Sequence, residues 1–277
     1  MSFTDDDAAR LITAMRRVAA EEILPRFRSL GEGDIRRKSH DYDLVTEADL
    51  RAEERLTEIV AHDLPRAVVI GEEAVSRDAG ALAGLADAPL AVIIDPVDGT
   101  WNFANGLAVF GTIVAVTEHG RTVWGAIHDT LSDSWIEARA GGGAFRVGTD
   151  GRRTRLQLSD GHAALGDICG YSHSFLFPDA ALRRLFARLP DLRRVTSLRC
   201  SAWEYRMIAE GRGEDFCLSP VLNPWDHAAG CLAIREAGGV ARMIGGSDYD
   251  VATRDGRLLV ARTEAIWQTL ADHLEGI

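Results

Sequence analysis

Cysteine is scarce and scattered in this chain. Cys169, Cys200, Cys217 and Cys231 form no C-x-x-C pair and no Cys/His spacing of a zinc site. This excludes thiolate metal modules and the disulfide scaffolds of small secreted domains. Reduced, buried thiols of a cytosolic protein fit instead. Positive charge is in deficit: 31 Lys and Arg stand against 42 Asp and Glu, a net charge of −11. Such a field argues against a nucleic-acid partner, whose backbone must be neutralised. It leaves a phosphorylated small molecule open, because a local cation or metal overrules the global field. No run reaches the ~18 apolar residues of a membrane span. The opening Ser2-Phe3-Thr4-Asp5-Asp6-Asp7 is acidic and polar, unlike a signal peptide. No repeat or low-complexity stretch is evident. These absences predict a cytoplasmic protein with neither a membrane nor a nucleic-acid partner.

What is present is globular, with 46% apolar and 26% charged residues over 277 positions, a length at which compact α/β enzymes form single units. One domain over 1–277 is expected. An α+β part covers about 1–150 and a smaller α/β part covers about 151–277. Thr4 reads as an N-cap, with Asp5, Asp6 and Asp7 opposing the helix dipole. Ala8, Leu11, Ile12, Met15, Val18 and Ala19 follow at helical spacing, and Pro25 breaks the run before Leu30. Thr46 and Asp49 form a capping-box-like start to a second helix. Ala67-Val68-Val69-Ile70 is a buried strand ending in Gly71-Glu72-Glu73. An extended chain there sends the two glutamates to opposite sides. Ser76 to Pro89 reads as an exposed linking segment.

From Gly111 the pattern becomes strands. Stretches 111–117, 122–128, 134–139 and 143–147 form a meander, with a hairpin turn at Glu118-His119-Gly120-Arg121. The second half alternates strands at 166–171, 194–198, 216–218 and 258–261 with helices at 180–186, 202–209, 226–235 and 265–274. Pro224 is placed just outside the third of these helices and Asp226 in its first turn. Helices followed by hairpin strands indicate α+β organisation rather than a repeating βαβ sheet.

The stretch that carries chemistry is Asp95-Pro96-Val97-Asp98-Gly99-Thr100-Trp101-Asn102-Phe103, which follows the apolar strand Leu90-Ala91-Val92-Ile93-Ile94. Pro96 interrupts the ladder, Gly99 permits a left-handed turn, and Thr100 offers a hydroxyl at the start of a short helix. Two carboxylates three residues apart favour a hard cation such as Mg²⁺, and free N–H groups in the turn favour phosphate. The alternative is an Asx-turn in which Asp95 and Asp98 merely cap the next helix. Asp49, Glu72 and Asp226 also sit at strand ends or helix starts. Five acids so placed, without a Cys/His set, point to an oxygen-ligated Mg²⁺ cluster and phosphoryl chemistry by water attack. Ser201 and Cys200 have no evident His partner, so a covalent nucleophile is not indicated.

Asp43-Leu44-Val45-Thr46-Glu47-Ala48-Asp49, Gly71-Glu72-Glu73, Asp95-Pro96-Val97-Asp98-Gly99-Thr100 and Trp225-Asp226-His227-Ala228-Ala229-Gly230 resemble the signature motifs of the inositol monophosphatase family, in the family's order. Lys38 stands where that family has a lysine. The resemblance implies a layered α/β/α/β/α sandwich of the sugar-phosphatase type, a homodimer, two to three Mg²⁺ ions and lithium sensitivity. It implies that Glu72, Asp95 and the Val97 carbonyl hold a first ion, and that Asp95, Asp98 and Asp226 hold a second. A third, weaker ion would lie near Glu72. Asp49 and Thr100, assisted by Glu72, would activate the attacking water. The N–H groups of Gly99 and Thr100 would receive the phosphate. Lys38, Asp98, Arg199, Ser201 and Asp226 complete the expected substrate surface.

Two positions depart from the family pattern. Ser219 replaces a glutamate that contacts sugar hydroxyls in inositol-specific members. Arg199 lies in a segment, 197–202, that the family fills with small residues. Arg199 either clamps a phosphate and repels cations or faces solvent. Inositol 1-phosphate is the leading substrate. Histidinol phosphate, a nucleotide 3′-phosphate and fructose 1,6-bisphosphate are alternatives. A regulatory binding protein on the same fold, or a Mg²⁺-binding structural module, is the reading from a different class.

Overall fold

The computed structural model describes residues 2–31, 33–38, 43–159 and 161–277. Seven strands form the larger sheet: β3 (Val68–Gly71), β4 (Ala91–Asp98), β5 (Gly111–Glu118), β6 (Arg121–Asp129), β7 (Ser134–Arg139), β8 (Gly143–Val147) and β9 (Arg153–Arg155), in that spatial order. Only β3 and β4 run parallel; the rest is the antiparallel meander expected from the hairpin signals. A short hairpin of β1 (Ile35–Arg37) and β2 (Leu44–Thr46) precedes it. The smaller sheet has the order β11-β10-β12-β14-β13. It is built from β10 (Cys169–Ser172), β11 (Arg194–Thr196), β12 (Phe216–Ser219), β13 (Val240–Met243) and β14 (Leu258–Ala261). Its β10–β11 and β10–β12 pairs are parallel.

Among the described residues eight α-helices cover the sheets: α1 (Asp5–Val18), α2 (Glu47–Asp63), α3 (Glu72–Arg77), α4 (Thr100–Ala104), α5 (Asp179–Arg188), α6 (Ser201–Ala209), α7 (Pro224–Glu236) and α8 (Glu264–His273). The period-2 alternation of the strands assigns each face. Val92 and Ile94 of β4 pack under α1 and α2, with Leu11, Met15, Leu56 and Val60. Ile93, between them, faces the opposite way, into the layer of α6 and α7. Cys217 and Val260 meet that middle layer from the smaller sheet. Their neighbours Phe216, Leu218, Leu259 and Ala261 face α5 and α8. The result is the α/β/α/β/α sandwich that the motifs implied.

Local chemistry explains the element ends. Thr4–Asp7 and Thr46–Asp49 are both reciprocal capping boxes. After α1 the backbone widens into a π-helical turn over Ala19–Ile23 and stops at the 3₁₀ turn Leu24–Arg26. Pro25 has no N–H to continue the helix and its ring crowds the preceding turn. Gly230 lies where α7 crosses α6. A Cβ there would stand 2.3 Å from the Tyr205 ring, so Gly230→Ala costs about 1–3 kcal/mol of overpacking.

Three local expectations change. Glu72 and Glu73 are not extended; they open α3 and share one helical turn. The 76–89 segment is partly structured, and Leu85 and Ala88 are buried beneath it. Pro224 is the first residue of α7, a position that needs no N–H, with Asn223 as the N-cap. No helix among the described residues is long and apolar enough to cross a membrane.

Candidate active site

The site lies where β4 of the larger sheet meets the first turn of α7. The β4–β5 register pairs Asp95 with Ile113 and then Asp98 with Gly111, so β4 carries one extra residue. Pro96, with no N–H to donate, sits in this bulge, and its carbonyl accepts the Thr112 hydroxyl at 2.9 Å. The bulge re-aims the strand end. Gly99 then takes φ 87°, and a Cβ there would stand 2.8 Å from the Val109 carbonyl.

Asp95, Asp98 and Asp226 converge, with one carboxylate oxygen of each within 4.8 Å of the others. None of the three caps a helix in the ordinary way. Asp98 accepts from the Ala202 N–H and from the Cys200 thiol, and Asp226 accepts from the Asn223 amide at 3.1 Å. Asp95 Oδ1 is buried with no hydrogen-bond partner among the described residues. Burial comes first among the causes that raise all three carboxyls, and like charge adds to it. Asp95 is pushed well above its ordinary value by burial and then by Glu72, Asp98, Asp226 and Asp49. Asp226 is raised to about 8 by burial and then by Asp98 and Glu72. Asp98 reaches about 6, since burial outweighs the donors from α6. Crowded oxygen ligands that make no ion pair among the described residues, one with an orphaned buried atom, fit a hard divalent cation.

Asp49 performs two tasks. It caps α2 by accepting the Thr46 N–H at 2.8 Å and the Thr46 hydroxyl, and it accepts the Thr100 hydroxyl at 3.0 Å. Burial raises its carboxyl to about 6 against the pull of Thr46. Thr100 Oγ1 also lies 3.0 Å from the Val97 carbonyl. Its single proton serves one acceptor at a time, and the carboxylate is the stronger of the two. Lys38 lies against α3, with Nζ 2.8 Å from Glu72 and 2.6 Å from Glu73. Burial lowers its pKa, but the two glutamates outweigh burial and hold the ammonium above its ordinary value. Glu53, on α2, caps α3 through the Glu73 and Ala74 N–H groups.

On the far side, a cavity of about 130 Å³ is lined by Asp98, Asp226, His173, Arg199, Ser201 and Ser219, with Phe175 and Leu176 in its wall. Arg199 is therefore part of the cavity lining and partly buried. His173 of this wall and its partner Glu204 were not singled out from the sequence. His173, just past the end of β10, has Nε2 2.6 Å from Glu204 and Nδ1 3.3 Å from the Ser219 hydroxyl. Burial pulls His173 down, but Glu204 outweighs it and raises the imidazole to about 9. The available signal was Glu204, a lone acid among the apolar positions of α6. A larger cavity of about 810 Å³ lies beside α1, lined by Ile12, Trp124, Trp135 and Phe145. It contains none of the clustered acids.

Fold and site together define a layered α/β protein with an oxygen-only, cation-suited centre beside a left-handed turn. The inositol monophosphatase family model matches residues 6–277, and the chain belongs to that family. Its relatives include an inositol-1-monophosphatase of Mesorhizobium japonicum, 34% identical over 239 residues and covering 82% of this chain and 81% of that protein. Nus factor SuhB of Escherichia coli is 33% identical over 214 residues, covering 75% and 74%. The structure of an IMPase from Thermotoga maritima superposes with a TM-score of 0.77 at 24% identity, covering 98% of both chains. The protein is a phosphatase of the inositol monophosphatase type.

Proposed function

We propose that the protein is a Mg²⁺-dependent phosphomonoesterase acting on a small phosphorylated metabolite, with inositol 1-phosphate the first substrate to test. The single observation that carries this is the convergence of Asp95, Asp98 and Asp226, with Asp95 Oδ1 orphaned, beside the Gly99 turn. Asp95, Asp98 and Asp226 would hold one ion. Glu72, Asp95 and the Val97 carbonyl would hold another, with Glu72 flanking a third. What Mg²⁺ supplies when bound is charge neutralisation at phosphoryl oxygens and a lower pKa for water. Gly99 and Thr100 present backbone N–H groups to the phosphate. Thr100, with its proton committed to Asp49, keeps a lone pair for the attacking water. Asp49 is the final proton acceptor of this pair, and its raised pKa suits that task. Ser201 and Arg199 complete the substrate wall, and Lys38 holds Glu72 in place.

Phosphate release from a panel of monoesters, with and without Mg²⁺, tests the reading. Mg²⁺-dependent release that Asp95→Asn abolishes supports it, and no release from any ester overturns it. Histidinol phosphate, a nucleotide 3′-phosphate and fructose 1,6-bisphosphate belong in the panel. Inhibition by lithium and a homodimeric mass in solution are the accompanying expectations. We read all 277 residues as one functional unit in the cytoplasm, since one apolar cluster joins both sheets through α6 and α7. A regulatory binding role on the same fold is the second reading, favoured by the relative named Nus factor SuhB. An Asp226→Asn protein that retains full cellular function would support that role.

A further inference from the structure

The wall opposite the acids has had its hydrogen-bond acceptors spent. The Ser219 hydroxyl, at the position where a sugar-binding glutamate was expected, donates to the Val221 carbonyl at 2.9 Å and faces His173 Nδ1. Glu204 is engaged by His173, the Ser197 hydroxyl, the Leu198 N–H and the Cys217 thiol. His173 in turn is neutralised by Glu204. The Arg199 guanidinium is a polar group of this wall that has no hydrogen bond among the described residues. It makes no ion pair among the described residues, and its Nε is buried without a hydrogen bond.

The Arg199 backbone is fixed from both sides. Its N–H donates to the Ser197 hydroxyl at 3.0 Å. The preceding Leu198 carbonyl accepts from Asn102 at 2.8 Å, and the Leu198 N–H donates to Glu204 at 2.7 Å. Arg199 itself holds φ 54°, a left-handed conformation that arginine rarely adopts and that such anchoring maintains. The guanidinium carbon lies 4.1 Å from the Trp101 ring centroid and 5.1 Å from the Phe175 ring centroid. Ring contacts hold the guanidinium without using its N–H donors and leave those donors for a ligand. An edge of parallel N–H donors matches phosphate or carboxylate oxygens in a bidentate pair.

We propose that the substrate carries a second anionic group besides the phosphate that is cleaved, and that the edge of Arg199 binds it. The inference rests on the phosphomonoesterase reading for the first phosphate. It makes Arg199 a specificity residue that selects doubly anionic esters over neutral polyol phosphates.

Two substrate pairs differ by one anion and separate the sources. Fructose 1-phosphate against fructose 1,6-bisphosphate tests a second phosphate, and glycerol 2-phosphate against 2-phosphoglycerate tests a carboxylate. The doubly anionic member of at least one pair is expected to show about tenfold or higher kcat/KM, carried mainly by KM. Arg199→Met keeps an apolar side chain against the Trp101 and Phe175 rings. It should abolish that preference by raising KM for the doubly anionic ester about tenfold more than for the singly anionic one. Arg199→Lys should restore part of the preference. No preference in either pair overturns the proposal. So does an equal loss on both members in a folded Arg199→Met protein, which would mean that Arg199 holds the phosphate being cleaved. If the wild type cleaves no ester, the phosphatase reading fails by itself. Calorimetric binding of the same uncleaved esters with Mg²⁺ then decides. Tighter binding of the doubly anionic member, lost in Arg199→Met, supports the proposal, and equal binding overturns it.

Discussion

Asp7 and Asp95 are both buried carboxylates at element ends, and they respond to burial in opposite ways. Asp7, at the start of α1, is pulled up by burial. The Thr4 N–H at 3.0 Å, the Thr4 hydroxyl and Arg66 at 2.5 Å outweigh that and hold it below its ordinary value. Asp95, near the end of β4, meets burial and four further acids, and its Oδ1 has no hydrogen-bond partner among the described residues. The α1–α2 layer satisfies its charges internally. The centre between β4 and α7 does not, which is the arrangement that the proposed divalent cation would complete. The difference separates a carboxylate that stabilises the fold from one that the fold carries at a cost for chemistry.

The largest expected effect tests that contrast directly. Asp95→Asn should lower kcat by about 10³-fold or more, equivalent to about 4 kcal/mol. The melting temperature of the metal-free protein should stay level or rise, because a repulsive buried charge is removed. A large fall in metal-free stability would erase the contrast with Asp7. Next, Mg²⁺ at about 100 times its Kd should add about 2.7 kcal/mol to stability. Thermal melts with and without the ion read this, and Asp95→Asn should lose the increment. Asp49 sharpens the comparison because it belongs to both classes. Asp49→Asn should weaken the α2 cap by about 1 kcal/mol in denaturant melts. It should also slow turnover, since the Thr100 hydroxyl loses its carboxylate acceptor.

The smallest effect lies on the Asp7 side. Asp7→Asn should leave activity intact and cost about 1 kcal/mol of stability at neutral pH. The folded pKa of Asp7 is depressed, so its contribution is present above the ordinary carboxylate value of ~3.9 and is lost as pH falls through the lower folded value. Denaturant midpoints of wild type and Asp7→Asn should therefore converge in acid. A gap that persists there would mean that Asp7 acts through packing rather than charge.

Much of the fold was legible because it rests on local signals. Period-2 alternation marked 134–139 and 143–147 at the bounds that β7 and β8 show. Thr4, Thr46 and Pro25 marked where helices start and break. The strands β1, β9 and β13 escaped notice because they are short and lack a two-sided apolar pattern. At the site, Asp95, Asp98 and Asp226 could be named from spacing and motif. Whether each was a cap or a ligand could not. Asp49 and Asp95 look alike in a string, and the choice depends on which donors fold back onto each oxygen. His173 and Glu204 were missed because they lie 31 residues apart and meet across β10 and α6.

By itself the sequence determined the acids, the turn residues and most of the strands and helices, because propensity, capping and hydrophobic period act over a few residues. Only the tertiary structure decided which charges remain unpaired. Pairing depends on distances between β4, α7, α6 and the 197–200 loop, and these are set by packing across the layers rather than by order along the chain. That is why Asp95 and Arg199, both marked as candidates in the string, show only in the fold that one has a buried oxygen and the other a buried N–H without a hydrogen-bond partner among the described residues.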